Sequence, residues 1–460
     1  MSYIDHTIGA YLRKNIFFPI YWKYIKQYKV LDYYKKLKDH QWNTTEENRE
    51  IQRKKLYTLI EYASENIPYY KGVIKEYNLR FSEDTIFDDI KKFPLLTKDI
   101  IREHFYELYK FRDSTYFRNH TSGSTGKPAI FYQDKYCLEW KIATKIFFDD
   151  WAGRQIGEPM VKLWGAVQDI LKEGQGIKAY LRQQFYGVTT LNSYRMTEKN
   201  LYDYVRKINS IKPRLILTYT NSIDELARFI RDHHLAIYSP GAIMTSAGVL
   251  FPEIRKRVEE VFGAPLFDNY GSRETGGIAC NCEKNEGLHL IPNIHYVEIL
   301  DANAKEASPG ESGEIVVTLL TNYTMPLIRY TIEDRGILSK KVCSCGRGFP
   351  LLERVEGRML NMFRNKQGDL IGSGFFISLI YYRDYVKQLQ IIQKTVDYII
   401  INLVLKDSKK IQEARKDFKE INKKIRLVMG NETKIKYNIV DGIEPSKAGK
   451  YMYTFSQVEE

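Results

Sequence analysis

Between His120 and Asp134 the chain reads HTSGSTGKPAIFYQD, a cluster of hydroxyls and glycines followed by Lys127, Pro128 and an alternating β-type run. Such a stretch has two readings. Gly- and Ser-rich segments serve as flexible linkers, whereas hydroxyls alternating with glycines offer side-chain O–H and backbone N–H donors that wrap phosphate oxygens. Gly123 and Gly126 would permit the positive φ and close approach of such a nest. The Walker pattern GxxxxGK[ST] is not met, because Pro128 follows Lys127 and Thr121 stands five residues before Gly126. The dinucleotide pattern GxGxxG is absent as well. A linker is not normally followed at once by Lys-Pro and a β run, so the stretch is a candidate phosphate loop.

The second constellation is sulfur. There are five cysteines: Cys280-Asn281-Cys282 and Cys343-Ser344-Cys345 form two CxC pairs, and Cys137 stands alone. Residues i and i+2 of an extended chain point to one face, so each pair can offer two thiolates together. In a reducing compartment this spacing reads as metal binding rather than disulfide bonding. Cys282, Cys343 and Cys345 are expected zinc ligands, with His289 or Cys280 as the fourth. A closed set of four sulfur and nitrogen ligands is a structural zinc site. Cys137 reads as a core or surface residue, and no catalytic Cys–His pairing is evident.

Around these groups, β-type runs alternate with helical patterns. PMVKLWG precedes a helical region, PRLILTYT precedes SIDELARFIRDHH, and GAIMTSA precedes PEIRKRVEEVFG. That alternation predicts parallel α/β layers. Upstream, Thr45 to Tyr70 has helical periodicity interrupted at Pro68, and Phe93 to Phe105 reads as a loop entering a helix capped by Thr97. From Gly287 the pattern becomes strand-rich. A final segment with YIIINLVL, a charged helix and KIKYNIV reads as a small α+β lid. The expected organisation is an N-terminal extension over 1–40, a main domain over 41–360 and a lid over 361–460.

The chain has 460 residues, with 70 Lys and Arg against 57 Asp and Glu, for a net charge of +13. These charges are spread along the sequence, and no zinc finger, helix-turn-helix or RNP-like aromatic motif accompanies them, so nucleic acid is not the expected partner. No apolar run approaches the ~18 residues that span a bilayer, and the N-terminus lacks a signal peptide's apolar core. A cytoplasmic location is expected. The stretch from Ile8 to Val30 mixes aromatic and basic residues, either as a helix packed on the domain or as a peripheral contact with an anionic membrane surface.

The run Thr121-Ser122-Gly123-Ser124-Thr125-Gly126-Lys127-Pro128 resembles the phosphate-loop signature [ST]SG[ST]TGxP of the adenylate-forming superfamily, which includes acyl-CoA synthetases, peptide-synthetase adenylation domains and luciferases. Further blocks follow in the family's order. Asp268 to Glu274 resembles its Tyr-Gly-x-Thr-Glu block, with Arg273 in place of Thr, and Arg329 to Asp334 resembles its Tyr-x-x-x-Asp block. Gly357-Arg358 resembles the Gly-Arg before the interdomain hinge, and Gly449-Lys450 resembles the block carrying the catalytic lysine. IEYASENIPYYKGV and FPLLTK resemble the N-terminal signature of the phenylacetate–CoA ligase branch, and CSCGRG resembles its capsular-polysaccharide-type members. His289 follows Cys282 as in similar branch members.

The resemblance implies a large α/β adenylation domain of layered sheets and helices with a strand-rich subdomain, and a mobile α+β C-terminal domain. It implies ATP-dependent activation of a carboxylic acid as acyl-AMP, with Mg²⁺. The acyl group then passes to coenzyme A, an acyl or aryl carrier protein, or another acceptor, and aromatic acids are the branch-level expectation. Thr121, Ser122, Ser124, Thr125 and Lys127 would hold phosphates, and Glu274 would bind Mg²⁺. Tyr270 and Gly271 would lie by the adenine, and Asp334 would accept the ribose hydroxyls. Arg329 and Arg358 would sit near phosphate or ribose, and Lys450 would bridge the reacting carboxylate and α-phosphate. Trp164, Gly165, Ser246, Ala247 and Gly248, with Tyr270, would line the acid pocket. Two departures stand out: Asn361 occupies the hinge position, where relatives have Asp or Lys, and Gly248 stands where relatives often carry an acid. Two other classes fit these residues, a nucleotide-binding regulator with weakened catalysis and a membrane-surface component of a polysaccharide or lipid assembly pathway.

Overall fold

A computed structural model describes the backbone of residues 3–111, 115–120, 129–164, 183–193, 196–358, 363–368, 370–371, 373–381, 383–444 and 453–458. The chain divides into two units, Met1–Val355 and Glu356–Glu460.

In the first unit a hairpin pairs β1 (Tyr116–His120) with β2 (Ile130–Asp134), His120 standing opposite Ile130. Residues 121–128 connect these strands and lie outside the described residues. Strands β3 (Met160–Trp164), β4 (Val188–Asn192), β5 (Leu215–Tyr219), β6 (Ala242–Ser246) and β7 (Leu266–Ser272) run parallel. They continue into β8 (Gly276–Asn281), β9 (Leu288–Leu290), β10 (His295–Leu300), β11 (Ser312–Leu319), β12 (Tyr330–Leu338) and β13 (Leu351–Arg358). Pairing turns antiparallel at β7–β8, β8–β9, β9–β13, β10–β11 and β11–β12. Among the described residues these form one eleven-stranded sheet, in the order β10-β11-β12-β13-β9-β8-β7-β6-β5-β3-β4.

The parallel half is built from apolar runs because helices cover its faces. Every residue of β5 is buried. The covering helices begin and end where their capping residues dictate. Thr197 caps the helix Glu198–Ile211 by accepting from Asn200 N–H, and Pro252 starts Pro252–Phe262, which stops at Gly263 with φ 61°. Upstream, Thr44 and Glu47 form a reciprocal capping box on the helix Thr45–Asn66, which ends before Pro68. Thr97 caps Lys98–Glu103 as the sequence predicts. Asp134 ends β2 and caps the helix Lys135–Trp151, its carboxylate accepting from Cys137 N–H and from Tyr323 and Thr324 N–H.

Tyr3–Ile25 and Val30–His40 are helical, and Phe18, Trp22, Val30, Tyr33 and Leu37 belong to the main apolar core. Tyr33 stacks on Trp140 with ring centroids 4.5 Å apart.

The second unit carries the short pair β14 (Phe363–Arg364) and β15 (Leu370–Ile371). It also has a four-stranded sheet of β16 (Val386–Thr395), β17 (Tyr398–Leu405), β18 (Lys434–Ile439) and β19 (Thr454–Ser456), in the order β18-β17-β16-β19. The helix Ile411–Met429 buries Ala414, Ile421, Ile425 and Met429, one stripe of an otherwise charged surface. Among the described residues, no helix is long and apolar enough to cross a membrane.

Candidate active site and metal centre

In an open parallel sheet, ligands bind in the crevice beyond the carboxyl ends of the strands. Trp164 ends β3, Tyr219 ends β5, Ser246 ends β6 and Tyr270 lies near the end of β7. Register sets them side by side: Tyr219 faces Ser246, and Ser246 faces Asn269. Trp164 packs on Tyr219 at 4.0 Å between ring centroids, with Lys162 Nζ 5.0 Å from the Trp164 ring. Just past β6, Ala247 has φ 62°, an uncommon conformation for a residue with a Cβ. Thr220 Oγ1 donates to the Gly248 carbonyl at 3.2 Å, and a Cβ at Gly248 would press on Thr220 at the same distance. A side chain at that position would require Thr220 to give by a few tenths of an ångström. Gly165 lies outside the described residues.

The turn between β7 and β8 presents Glu274. It is tight enough that a Cβ at Gly271 would run into the Gly276 carbonyl, which explains glycine there. Ser272 Oγ accepts from Thr275 N–H at 3.1 Å and closes the turn. Glu274 is buried, and its Oε1 accepts from the fully buried Tyr330 hydroxyl at 3.3 Å. Two side chains from the hairpin and the helix behind it hold the turn's backbone. Gln133 Nε2 donates to Glu274 O at 2.7 Å, and Lys141 Nζ donates to Arg273 O at 2.8 Å. Gln133 Oε1 in turn accepts from Asn119 Nδ2 at 3.0 Å and from Lys141 at 3.3 Å. Burial lowers the Lys141 ammonium below its ordinary range, with the Glu274 carboxylate pulling the other way.

Tyr270 and Asp334 meet: the Tyr270 hydroxyl donates to Asp334 Oδ2 at 3.0 Å. The segment before Asp334 is held by the FPLLTK stretch. Leu96 N–H donates to Arg329 O at 2.9 Å, Thr331 N–H donates to Leu96 O at 3.0 Å, and Lys98 Nζ pairs with Glu333 at 2.6 Å. Arg329 and Glu333 both have positive φ, 49° and 69°, a backbone kept in shape only by such surrounding contacts.

Arg329 departs from expectation. Its guanidinium is buried and forms a two-pronged ion pair with Glu298 at 2.9 and 3.1 Å, while Nη1 donates to the carbonyls of Lys91 and Phe93. Its donors are engaged within the protein, so it braces the strand and does not reach for phosphate or ribose. Arg358 ends β13, and its side chain lies outside the described residues, as do Thr121, Ser122, Gly123, Ser124, Thr125, Gly126, Lys127, Asn361 and Lys450.

The sulfur cluster is compact. Ligand atoms of Cys282, His289, Cys343 and Cys345 all lie within 4.8 Å of one another. Cys282 Sγ is 3.6 Å from Cys343 Sγ, and Cys345 Sγ is 3.4 Å from His289 Nε2. A tetrahedron with Zn–S of about 2.3 Å and Zn–N of about 2.0 Å has S···S edges of about 3.8 Å and S···N edges of about 3.5 Å, so the residues fit zinc. The sulfurs are too far apart for a disulfide. Burial lowers His289 to about 4, leaving a neutral ring. With Nδ1 as donor to Phe349 O at 3.3 Å, Nε2 offers its lone pair to the cluster. Backbone N–H groups of Lys284 and Arg347 donate to Cys282 and Cys345, each at 3.4 Å. Arg347 is clasped by Glu283, Gln41 and the rings of Trp42 and Trp151.

Cys280 is not the fourth ligand. It lies inside β8 opposite His289, whereas β8 ends at Asn281 and frees Cys282 to turn toward the Cys343–Cys345 loop. Cys280 is fully buried in the strand, and the sulfur and nitrogen atoms that cluster together are those of Cys282, His289, Cys343 and Cys345. Cys137 is likewise a buried core thiol.

The residues that sequence reasoning missed are Gln133, Lys141, Lys98 and Glu298. Each acts through a partner more than thirty positions away, so no local spacing announces it.

Residues 363–457 match the family model described as the CapK C-terminal domain. Protein CapK of Staphylococcus aureus is 24% identical over 417 residues, 89% of each chain. The phenylacetate-coenzyme A ligase of Thermus thermophilus is 27% identical over 329 residues, 69% of this chain and 72% of the relative. In three dimensions a 2-hydroxyisobutyryl-CoA ligase, solved in the postadenylation state with R3-HIB-AMP, superposes with a TM-score of 0.71 at 18% identity over 91% of both chains. The chain is therefore a homologue of Protein CapK and of phenylacetate-CoA ligases, with the adenylate-forming ligase fold and a CapK-type C-terminal domain.

Proposed function

We propose that the chain is an ATP-dependent ligase that activates a carboxylic acid. A carboxylate oxygen attacks the α-phosphorus of ATP, the bond to the β-phosphate oxygen breaks, and pyrophosphate leaves. A thiolate, of coenzyme A or of a carrier protein, then attacks the acyl carbon and releases AMP. The observation that carries this reading is the Tyr270–Asp334 hydrogen bond, 3.0 Å long, formed by residues of two of the matching blocks. Such a pair suits a ribose and base: the carboxylate accepts two vicinal hydroxyls while the ring packs on adenine.

In this reading the 121–128 loop cradles the β- and γ-phosphates. Bound Mg²⁺, a hard cation that prefers carboxylate oxygen, would be held by Glu274 and would neutralise phosphate charge. Lys450 would stabilise charge between the attacking carboxylate and the α-phosphorus, and Arg358 would assist at the phosphate or ribose. Trp164, Ser246, Ala247 and Gly248 would shape the acid pocket, and the aromatic lining from Trp164 and Tyr219 favours a flat acid. Zinc at Cys282, His289, Cys343 and Cys345 would be structural, because all four positions are taken by protein. A cytoplasmic location goes with this chemistry, since ATP and reduced thiols are kept there.

The test is pyrophosphate release from purified protein with Mg²⁺ and ATP across aromatic, fatty and amino acids, with and without coenzyme A. Release dependent on one acid supports the adenylation step, and stimulation by coenzyme A supports a free thiol acceptor. Silence with every acid, while ATP still binds, would overturn the reading in favour of a nucleotide-binding regulator. A second reading concerns the acceptor. The phenylacetate-coenzyme A ligase similarity covers 69% of the chain against 89% for Protein CapK, and the C-terminal unit matches the CapK model. Adenylation without coenzyme A stimulation would favour an acceptor other than coenzyme A.

A further inference from the structure

The N-terminal helical segment has two faces, and the ligase reading uses neither. One is anchored. Phe18 and Trp22 are buried and stack at 5.0 Å, Phe18 meets Phe185 edge-on at 5.5 Å, and Arg13 Nε donates to Gly157 O at 2.7 Å. The other face is apolar and open. Ile8, Tyr11, Ile16, Phe17, Ile20, Tyr24 and Ile25 are each between 41% and 67% exposed. The helix widens into i→i+5 turns, with Phe18 N–H donating to Arg13 O and Lys26 N–H to Tyr21 O. In such turns, side chains four and five apart stand above one another, so Ile16, Ile20, Tyr24 and Ile25 form one row.

The charges within this stretch have a single sign. Between Ile8 and Val30 stand Arg13, Lys14, Lys23, Lys26 and Lys29 and no acidic residue. Lys14, Lys23, Lys26 and Lys29 are exposed. The ammonium of Lys23 lies 5.3 Å from the Tyr24 ring and that of Lys26 lies 5.8 Å from the Tyr21 ring, so their stems run beside the apolar row. A rigidly held helix with an outward apolar stripe, aromatic rings at its edge and flanking lysines has the chemistry of an interfacial membrane segment. An anionic lipid surface offers both halves of what this face presents, phosphates for the lysines and an acyl boundary for the apolar stripe.

We propose that this helix seats the protein on the surface of a bilayer rich in anionic phospholipid, with Ile16, Ile20, Tyr24 and Ile25 entering the headgroup–acyl boundary and the lysines meeting lipid phosphates. The anchored face would carry the rest of the first unit to the membrane as a rigid body. This inference is independent of the ligase reading.

The experiment is flotation of the full chain with two kinds of vesicle: phosphatidylcholine alone, and phosphatidylcholine with one-third phosphatidylglycerol. Binding is expected to the anionic vesicles and not to the neutral ones, and to weaken as salt is raised. Lys23→Gln with Lys26→Gln should weaken binding by about fivefold per charge removed. Ile16→Ser with Ile20→Ser and Ile25→Ser should abolish it while leaving the circular dichroism of a folded protein, since these side chains are partly exposed. Equal recovery of wild type in the soluble fraction with either vesicle overturns the proposal. So does a concentration-dependent dimer that the isoleucine substitutions dissolve, which would make the row a self-association surface. Electrostatic binding that survives the isoleucine substitutions also overturns the seating of this row.

Discussion

Gln133 reaches from the end of the β1–β2 hairpin to the backbone of Glu274, its Nε2 2.7 Å from the Glu274 carbonyl. Lys141 makes a parallel contact to the Arg273 carbonyl at 2.8 Å and shares the Gln133 side-chain oxygen. The hairpin whose strands residues 121–128 connect and the turn that presents Glu274 are therefore tied by two side chains, the buried Gln133 and the half-buried Lys141. We expect Lys141→Met to slow pyrophosphate release by about 10–100-fold, the loss of one or two partly buried charge-assisted hydrogen bonds. It should also raise the Mg²⁺ concentration needed for half-maximal rate. Lys141→Arg should recover part of both. A variant that merely melts earlier, with an unchanged Mg²⁺ profile, would reduce Lys141 to a core residue.

Asp334 and Arg329, five residues apart, should respond differently. Asp334→Asn keeps an acceptor for Tyr270 but removes the charge, so ATP binding should weaken by about 10–100-fold with little change in melting temperature. Arg329→Met strands the buried Glu298 carboxylate and should cost about 3–5 kcal/mol of stability. Calorimetric titration with ATP alongside thermal melts separates the two. An Arg329 variant of normal stability that no longer binds ATP would return Arg329 to the nucleotide site.

Lys450→Ala should lower acyl-AMP formation by about 10²–10³-fold, the scale of one lost transition-state donor. Affinity for ATP should stay within a few-fold. Equal losses of binding and rate would argue for ground-state contact instead.

Metal analysis of protein purified without chelator should find about one zinc per chain. Cys343→Ser and His289→Ala should each lower both zinc content and melting temperature, whereas Cys280→Ser should keep the zinc. Strong chelation should lower stability before it lowers pyrophosphate release, because the cluster ties the Cys343–Cys345 loop to the β8–β9 connection. Stoichiometric zinc in the Cys343→Ser variant would show that the metal sits elsewhere.

His295 is fully buried, its Nε2 2.9 Å from the Thr275 carbonyl, and burial lowers its pKa to about 4 from an ordinary 6.5. The folded state thus holds fewer protons than the unfolded one between these values, so stability rises with pH through this window and is lost as pH falls. Asp268 works in the opposite sense, since burial raises it to about 6 from 3.8. The comparison must therefore be with His295→Gln, which should remove about 1.4 kcal/mol per pH unit of slope between pH 4.5 and 6. Identical slopes in denaturant titrations of the two proteins would show that His295 is not the group responsible.

Much of this protein is determined by local sequence. The β5 run LILTY, the Thr44–Glu47 box and the Thr97 cap act within a few residues, so strands, helices and their starts are legible before any fold is known. The paired CxC motifs are legible for the same reason, since i and i+2 share a face. What the chain alone left open depended on which distant segments come to lie together. The choice of His289 over Cys280 turned on where β8 ends, which let Cys282 leave the ladder while Cys280 stayed in it. Arg329 carries a family-like motif, yet Glu298, thirty-one residues away, takes its guanidinium. Gln133 and Lys141 have no motif, because hydrogen bonds spanning 141 and 132 residues leave no periodic trace in sequence. Local propensity and pattern set the elements; burial and long-range pairing decided which side chains are free to meet a ligand.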